Sequence, residues 1–253
     1  MSETDSALGY HDDRGRTGVL LCHGFTGSPA SMVPWASYLA EKGHSVRVPL
    51  LPGHGTTWQQ MNRTRWQDWY AEVDGALDDL ITGCDEVVVA GLSMGGCLAL
   101  RLAQQRPNDV RALMLVNPAV ASADRRLLLV PVVRFVLGSI AGIGNDIKKP
   151  GVGEDGYDRT PLHALHSMRQ MWREVRQNLS RIDVPLLLFR SAEDHVVDPS
   201  SSDAVVDGVS SADIQQVILH NSYHVATLDY DADELFRISA EFVAEHTGAR
   251  DER

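Results

Sequence analysis

Cysteine is scarce in this sequence, at three among 253 residues. Cys22, Cys84 and Cys97 are odd in number and far apart, which fits neither a disulfide framework, a redox pair nor a metal-ligand set. The histidines show no paired metal-binding spacing, so no metal site is expected. Positive charge is also short. The 23 Lys and Arg against 34 Asp and Glu leave a net charge of -11, which argues against nucleic acid or an anionic membrane as the main partner. A long apolar run is missing too. The longest, Leu127 to Leu137, is broken by Pro131 and Arg134 and falls short of the roughly 20 residues that span a bilayer. Residues 1–16 are polar and acidic, without the apolar core of a secretion signal. These absences together predict a reduced, cytoplasmic protein.

What the sequence does contain is enough apolar material for a sizeable core. At this length a chain buries roughly three quarters of its unfolded surface, so it can fold without disulfides or metal. Charged residues make up 23%, which is too ordinary for a disordered chain. Short apolar runs alternate with amphipathic stretches. Strands are expected at Gly18–Cys22, Ser45–Leu51, Glu86–Gly91, Val110–Asn117, Pro185–Arg190 and Ile214–Leu219, with a weaker seventh near Ala7–His11. Helices are expected at Ser31–Lys42, Trp66–Ile81, Met94–Gln105, Leu162–Leu179 and Ala232–Glu245. Continuous apolar strands between helices predict an α/β fold with a mainly parallel sheet of six or seven strands, covered on both faces.

The rhythm fails between about Ala119 and Asp183. That is too long for a plain loop, so residues 119–183 are read as a small cap inserted into a core made of 1–118 and 184–253. The run Leu127–Leu137 has two readings here: an amphipathic cap helix packed on the domain, or an apolar rim. A rim could touch membranes or micelles transiently, or support a homodimer.

Gly91-Leu92-Ser93-Met94-Gly95 is a Gly-x-Ser-x-Gly motif between an apolar strand and a helix, the context that exposes a nucleophilic serine. A serine hydroxyl needs a base, and the base needs an orienting acid. In this arrangement the acid follows a late strand. Asp194 is the leading candidate, with Asp198 and Glu193 as rivals. The base follows the last strand: His224 is preferred over His220, which sits at the strand end. Two backbone N–H groups would form an oxyanion hole, one from Met94 after the nucleophile and one from Phe25 in the loop after the first strand. His23 reads as structural, and His54 in Pro52-Gly53-His54-Gly55 as part of a tight turn.

These strings resemble the α/β-hydrolase superfamily, over roughly residues 15 to 247. With His23-Gly24-Phe25-Thr26-Gly27, Pro52-Gly53-His54-Gly55-Thr56, Glu193-Asp194-His195-Val196-Val197 and the His-loop from Asn221 to Asp229, the sequence is similar to small bacterial monoacylglycerol lipases and related carboxylesterases. The resemblance implies Ser93 as nucleophile, His224 as base and Asp194, over Asp198, as acid. In the cap, the stretch from Asn145 to Pro150 with Glu154 and Tyr157 also looks like that family. It implies Glu154 as the carboxylate that binds the glycerol hydroxyls and Ile143 as a contact to the substrate.

The expected activity is therefore hydrolysis of a small lipid ester, a monoacylglycerol, through an acyl-enzyme and without a cofactor. A broad carboxylesterase without glycerol preference is the nearest alternative. A carbon–carbon bond hydrolase would keep the serine but act on dienone acids. A non-catalytic binding protein on the same fold would typically have lost one of the three residues.

Overall fold

The computed structural model describes residues 9–142, 145–154 and 156–248. The chain runs β1 (Tyr10–Asp12), β2 (Thr17–Cys22), α1 (Val33–Glu41), β3 (Ser45–Val48), α2 (Trp58–Met61), α3 (Trp66–Gly83), β4 (Glu86–Leu92), α4 (Met94–Gln105) and β5 (Ala112–Val116). It continues through α5 (Val130–Val133), β6 (Ser139–Ala141), β7 (Arg159–Pro161), α6 (Leu162–Arg176), β8 (Leu186–Ser191), α7 (Ser200–Gly208), β9 (Ile214–Leu219) and α8 (Ala232–His246).

Seven strands form one sheet in the order β1-β3-β2-β4-β5-β8-β9. All pair in parallel except β1, which runs antiparallel to β3 with Tyr10 opposite Val48. The seventh strand thus exists, but it lies at Tyr10–Asp12 and not at Ala7–His11; residues 7 and 8 fall outside the described residues.

Alternation along each strand divides the core into two layers. Leu20, Val89, Leu113, Leu115 and Leu188 face one side, packed with Trp69, Val73 and Leu77 of α3 and Leu98 and Leu102 of α4. Val19, Leu21, Val88, Met114 and Phe189 face the other, packed with Trp35 and Leu39 of α1 and Leu235 and Phe242 of α8. Helix α4 is apolar nearly all round because it lies against the sheet, α3 and α6 at once.

Strand β2 pairs with β3 on one side and β4 on the other, in a register that sets Cys22 beside Gly91. The chain therefore reverses its progress across the sheet here, and such reversals open a crevice at the carboxyl ends of the strands. The loops after β2 and β4 leave from that crevice.

Between β5 and β8 the chain adds no strand to the main sheet. Strand alternation was not expected there, yet β6 and β7 form a small antiparallel pair, Ser139 opposite Pro161. They are three residues each, too short to leave a period-two signal. The expected single helix from Leu162 ends at Arg176, followed by a separate 3-10 turn at Leu179–Arg181. The run Leu127–Leu137 is not a packed amphipathic helix. Only Val130–Val133 is α-helical, with Pro131 in its first turn, and Phe135 and Val136 are 72% and 82% exposed.

Candidate active site

Strand β4 ends at Leu92, and the next residue, Ser93, adopts φ 55° and ψ -117° before α4 starts at Met94. A non-glycine residue in this region costs about 1–3 kcal/mol and persists only where its surroundings enforce it. Here they do. The Ser93 N–H donates to the Val116 carbonyl at 2.9 Å, and the Ser93 carbonyl accepts from Gly96 and Ala119, both at 3.0 Å. The flanking glycines make the turn possible. A Cβ on Gly91 would collide with the backbone of Gly95 and Gly96, and one on Gly95 with the backbone of Cys22 and His23.

Asp194 follows β8 and His224 follows β9. Asp194 Oδ2 and His224 Nδ1 are 2.8 Å apart. Asp194 Oδ1 accepts the Val196 and Val197 N–H groups, each at 2.8 Å. Burial by itself would raise the Asp194 pKa, but the His224 hydrogen bond and charge and the two backbone donors hold it below the usual carboxylate range. Burial likewise works against charging His224. The hydrogen bond and charge of Asp194, with the charges of Glu154 and Asp146, more than offset it, so the His224 pKa lies above normal. An ionised carboxylate only accepts, so Nδ1 carries the ring proton and Nε2 keeps its lone pair. Ser93 and His224 are both buried.

The two rival acids point elsewhere. Asp198 accepts from Ala123 and Ser200 at the start of α7. Glu193 lies 3.6 Å from Lys148 and 3.5 Å from His195. His220 is exposed.

The loop after β2 is organised by His23. Its Nε2 accepts the Leu51 N–H at 3.2 Å and its Nδ1 donates to the Gly24 carbonyl at 3.0 Å. Burial pushes its pKa down to about 4, so it stays neutral. His54, also buried, stacks edge-on against His23 at 4.9 Å and Trp69 at 5.6 Å. Gly24 lies against Ser93, since a methyl there would sit 3.6 Å from the serine Cβ. Phe25 is half-buried with its ring against Trp69, and Met94 is buried at the first position of α4.

From the segment between β5 and β8, Glu154 reaches back over this loop. Its carboxylate occupies the space a side chain on Gly27 would need, and its charge acts on His224. Its backbone N–H donates to Asn145 Oδ1 at 2.5 Å. Tyr157 fastens the same region, its hydroxyl donating to the Gly53 carbonyl at 2.5 Å. Ile143 lies outside the described residues.

Sequence reasoning missed the residues that hold the main chain of the site. Asn117, at φ 44°, donates from Nδ2 to the His224 carbonyl at 2.8 Å and to Ser191 Oγ at 3.0 Å. Its Oδ1 accepts the Ser191 N–H at 2.8 Å. Asp146 accepts the N–H groups of His195 and His224. The Asn-Pro step after β5 marks a turn, and nothing local marks Asp146.

A hydroxyl on a strained strand-to-helix turn, with a carboxylate–imidazole pair at the same end of one sheet, is the arrangement of a nucleophilic hydrolase. The profile of the Alpha/beta hydrolase family matches residues 19–238, and the chain belongs to that family. It is 41% identical over 244 residues to a thermostable monoacylglycerol lipase of Bacillus sp. (strain H-257), spanning 94% of this chain and 95% of the relative. A carboxylesterase of Bacillus subtilis (strain 168) is 25% identical over 230 residues, or 90% and 93% of the two chains. Among solved structures, one reported for the metagenome-derived lipolytic enzymes LipS and LipT superposes with a TM-score of 0.92 at 36% identity, covering 95% of this chain and 98% of that one. The protein is a hydrolase, and no helix among the described residues is long and apolar enough to cross a membrane.

Proposed function

We propose that this protein is a serine hydrolase that splits monoacylglycerols into glycerol and a fatty acid. Ser93 attacks the ester carbonyl while His224 Nε2 takes its proton. The Phe25 and Met94 N–H groups hold the oxyanion of the tetrahedral intermediate, each worth roughly 3–4 kcal/mol to the barrier. The C–O bond to glycerol then breaks, and His224 returns its proton to the leaving oxygen. Water deprotonated by His224 attacks the acyl-serine, releasing the fatty acid and restoring Ser93. Asp194 remains ionised and stabilises the imidazolium. The reaction as written needs no cofactor.

The observation that carries the reading is the 2.8 Å bond between Asp194 and His224 at the sheet end where Ser93 is held in its strained turn. Glycerol recognition is supported by Glu154, a half-buried carboxylate reaching over the loop beside Ser93. It is supported as well by the 41% identical relative, a monoacylglycerol lipase. Residues 119–183 act as the cap on a core of 1–118 and 184–253, and the resemblance to monoacylglycerol lipases implies Ile143 as a substrate contact. Three free cysteines suit a cytoplasmic location.

Leu128, Leu129, Val132, Phe135 and Val136 form an exposed apolar face on the cap. Faces of this kind mark contact sites, and we assign this one to transient contact with micelles or membranes that present the substrate. Homodimerisation through the same face is the competing outcome, which light scattering with and without detergent separates.

The test of function compares 1-monolauroylglycerol with methyl laurate and tributyrin, using Ser93→Ala as the blank. Preference for the monoacylglycerol, lost in Glu154→Ala, is the expected result. Equal rates on all three substrates would leave a carboxylesterase without glycerol preference, the reading that the Bacillus subtilis relative favours.

A further inference from the structure

Asp146 lies in the stretch of the cap that leads to Glu154, far in sequence from either late strand. Its side chain is only 13% exposed, and among the described residues its carboxylate bonds to the loops that carry the acid and the base. Oδ2 accepts the His195 N–H at 3.1 Å and the His224 N–H at 3.2 Å. Oδ1 lies 2.8 Å from His195 Nδ1. The Asp146 carbonyl accepts the Val225 N–H at 3.1 Å. One carboxylate therefore joins the residue after Asp194 to His224 itself.

The neighbouring residues strengthen the same join. Asp229, in the His-loop, accepts the Lys148 N–H at 2.7 Å and the Lys149 N–H at 3.0 Å, and also the Tyr223 N–H at 2.9 Å. On the other side, Asn145 turns through φ 58° and holds the Glu154 N–H on its Oδ1. Adjacent side chains thus serve two parts of the site: Asn145 holds the main chain of Glu154, and Asp146 holds the main chain of the base.

We propose that Asp146 is a positioning residue for His224, and that its carboxylate sets the separation of the acid and base loops only while the cap segment is seated. The proposal rests on the serine-hydrolase reading above. Its physical basis is that both N–H groups belong to main chain whose displacement moves the Asp194–His224 bond directly. A misplacement of about 1 Å at a reacting group can cost on the order of a hundredfold in rate. Seating of the cap and readiness of the base then become one event, with the glycerol-binding carboxylate on the next turn of the same segment.

The charge of Asp146 adds a readout that scaffolding alone would not give. His224 is faced by Asp194, Glu154 and Asp146, all acidic. His195 is faced by Asp146, Glu193, Asp194 and the Tyr223 ring, and Lys148 lies over that ring and near Glu193. Removing the Asp146 charge withdraws one of the groups that favour protonated His224. The neutral base then survives to lower pH.

The experiment measures kcat, KM and the pH–rate profile on 1-monolauroylglycerol for wild type, Asp146→Ala and Asp146→Asn, with labelling of Ser93 by a fluorophosphonate. Asp146→Ala is expected to lose about ten- to a hundredfold in kcat and labelling rate with little change in KM. Asp146→Asn keeps an oxygen for the two N–H groups and is expected to recover most of kcat. Both variants should move the acid limb of the profile to lower pH. If Asp146→Ala does not fold, Asp146→Asn alone decides, through its acid limb. Wild-type kcat in Asp146→Ala, or an unmoved acid limb in Asp146→Asn, overturns the proposal. Full hydrolysis by Ser93→Ala with no labelling of wild type would overturn the serine-hydrolase reading, and the positioning role with it.

Discussion

The central strands and the segment between β5 and β8 use the same apolar residue types to opposite ends. In β4 and β5, Val88, Val89, Leu113 and Leu115 have no exposed surface. Between β5 and β8, Leu128, Phe135 and Val136 are mostly exposed. The strands sit between two helical layers that cover them completely, whereas Pro131 cuts α5 to one turn and leaves its flanks uncovered. Apolar character therefore goes with burial in one region and with exposed surface in the other.

Four changes test that contrast, in descending order of effect. Ser93→Ala, at the end of a central strand, is expected to remove turnover by a factor of about ten thousand or more while the thermal transition stays in place; substantial residual hydrolysis would break the reading. Leu113→Ala is expected to lower unfolding free energy by about 2–5 kcal/mol, read from denaturant curves. A loss below 1 kcal/mol would mean that the sheet core is looser than described. Glu154→Gln should raise KM for monoacylglycerol by about tenfold, the worth of one or two hydrogen bonds. It should also shift the acid limb of the pH–rate profile to lower pH, because the Glu154 charge helps hold the His224 pKa up. An unmoved limb would place the carboxylate outside the reach of the base. Val136→Ser is expected to change stability by no more than about 0.5 kcal/mol while weakening sedimentation with phosphatidylcholine vesicles. A stability loss like that of Leu113→Ala would erase the contrast.

The sequence is most legible where one local rule decides the outcome. Helix α4 and strand β9 have the expected boundaries, because Pro107 lies just past the end of the first and β-branched and aliphatic residues open and close the second. Ser93, Asp194 and His224 each follow an apolar strand, so strand order alone brings them to one end of the sheet. Elements without a period leave little trace. Strand β1, three residues at an edge, is expected only weakly and a little too early, and α7, which opens on Ser200, Ser201 and Ser202, residues that favour caps and turns over helix interiors, is not expected at all. The supports of the site are lost for another reason. Asn117 reaches the His224 carbonyl across 107 residues and Asp146 reaches its N–H across 78, and no window along the chain contains both partners.

The paired rings of His23, after β2, and His54, after β3, are a latent proton sink. Both are buried and neutral; the His23 pKa is lowered to about 4, and that of His54 also lies well below normal. Unfolding restores ordinary imidazoles, so below about pH 6.5 the unfolded chain takes up protons that the folded chain refuses. Stability is complete above that value and drains away as the pH falls toward 4, by as much as about 3 kcal/mol for His23 alone. A melting temperature unchanged between pH 8 and pH 5 would contradict this. Acidification therefore strikes first at the loop that lies against Ser93, before it reaches the helices and strands behind it.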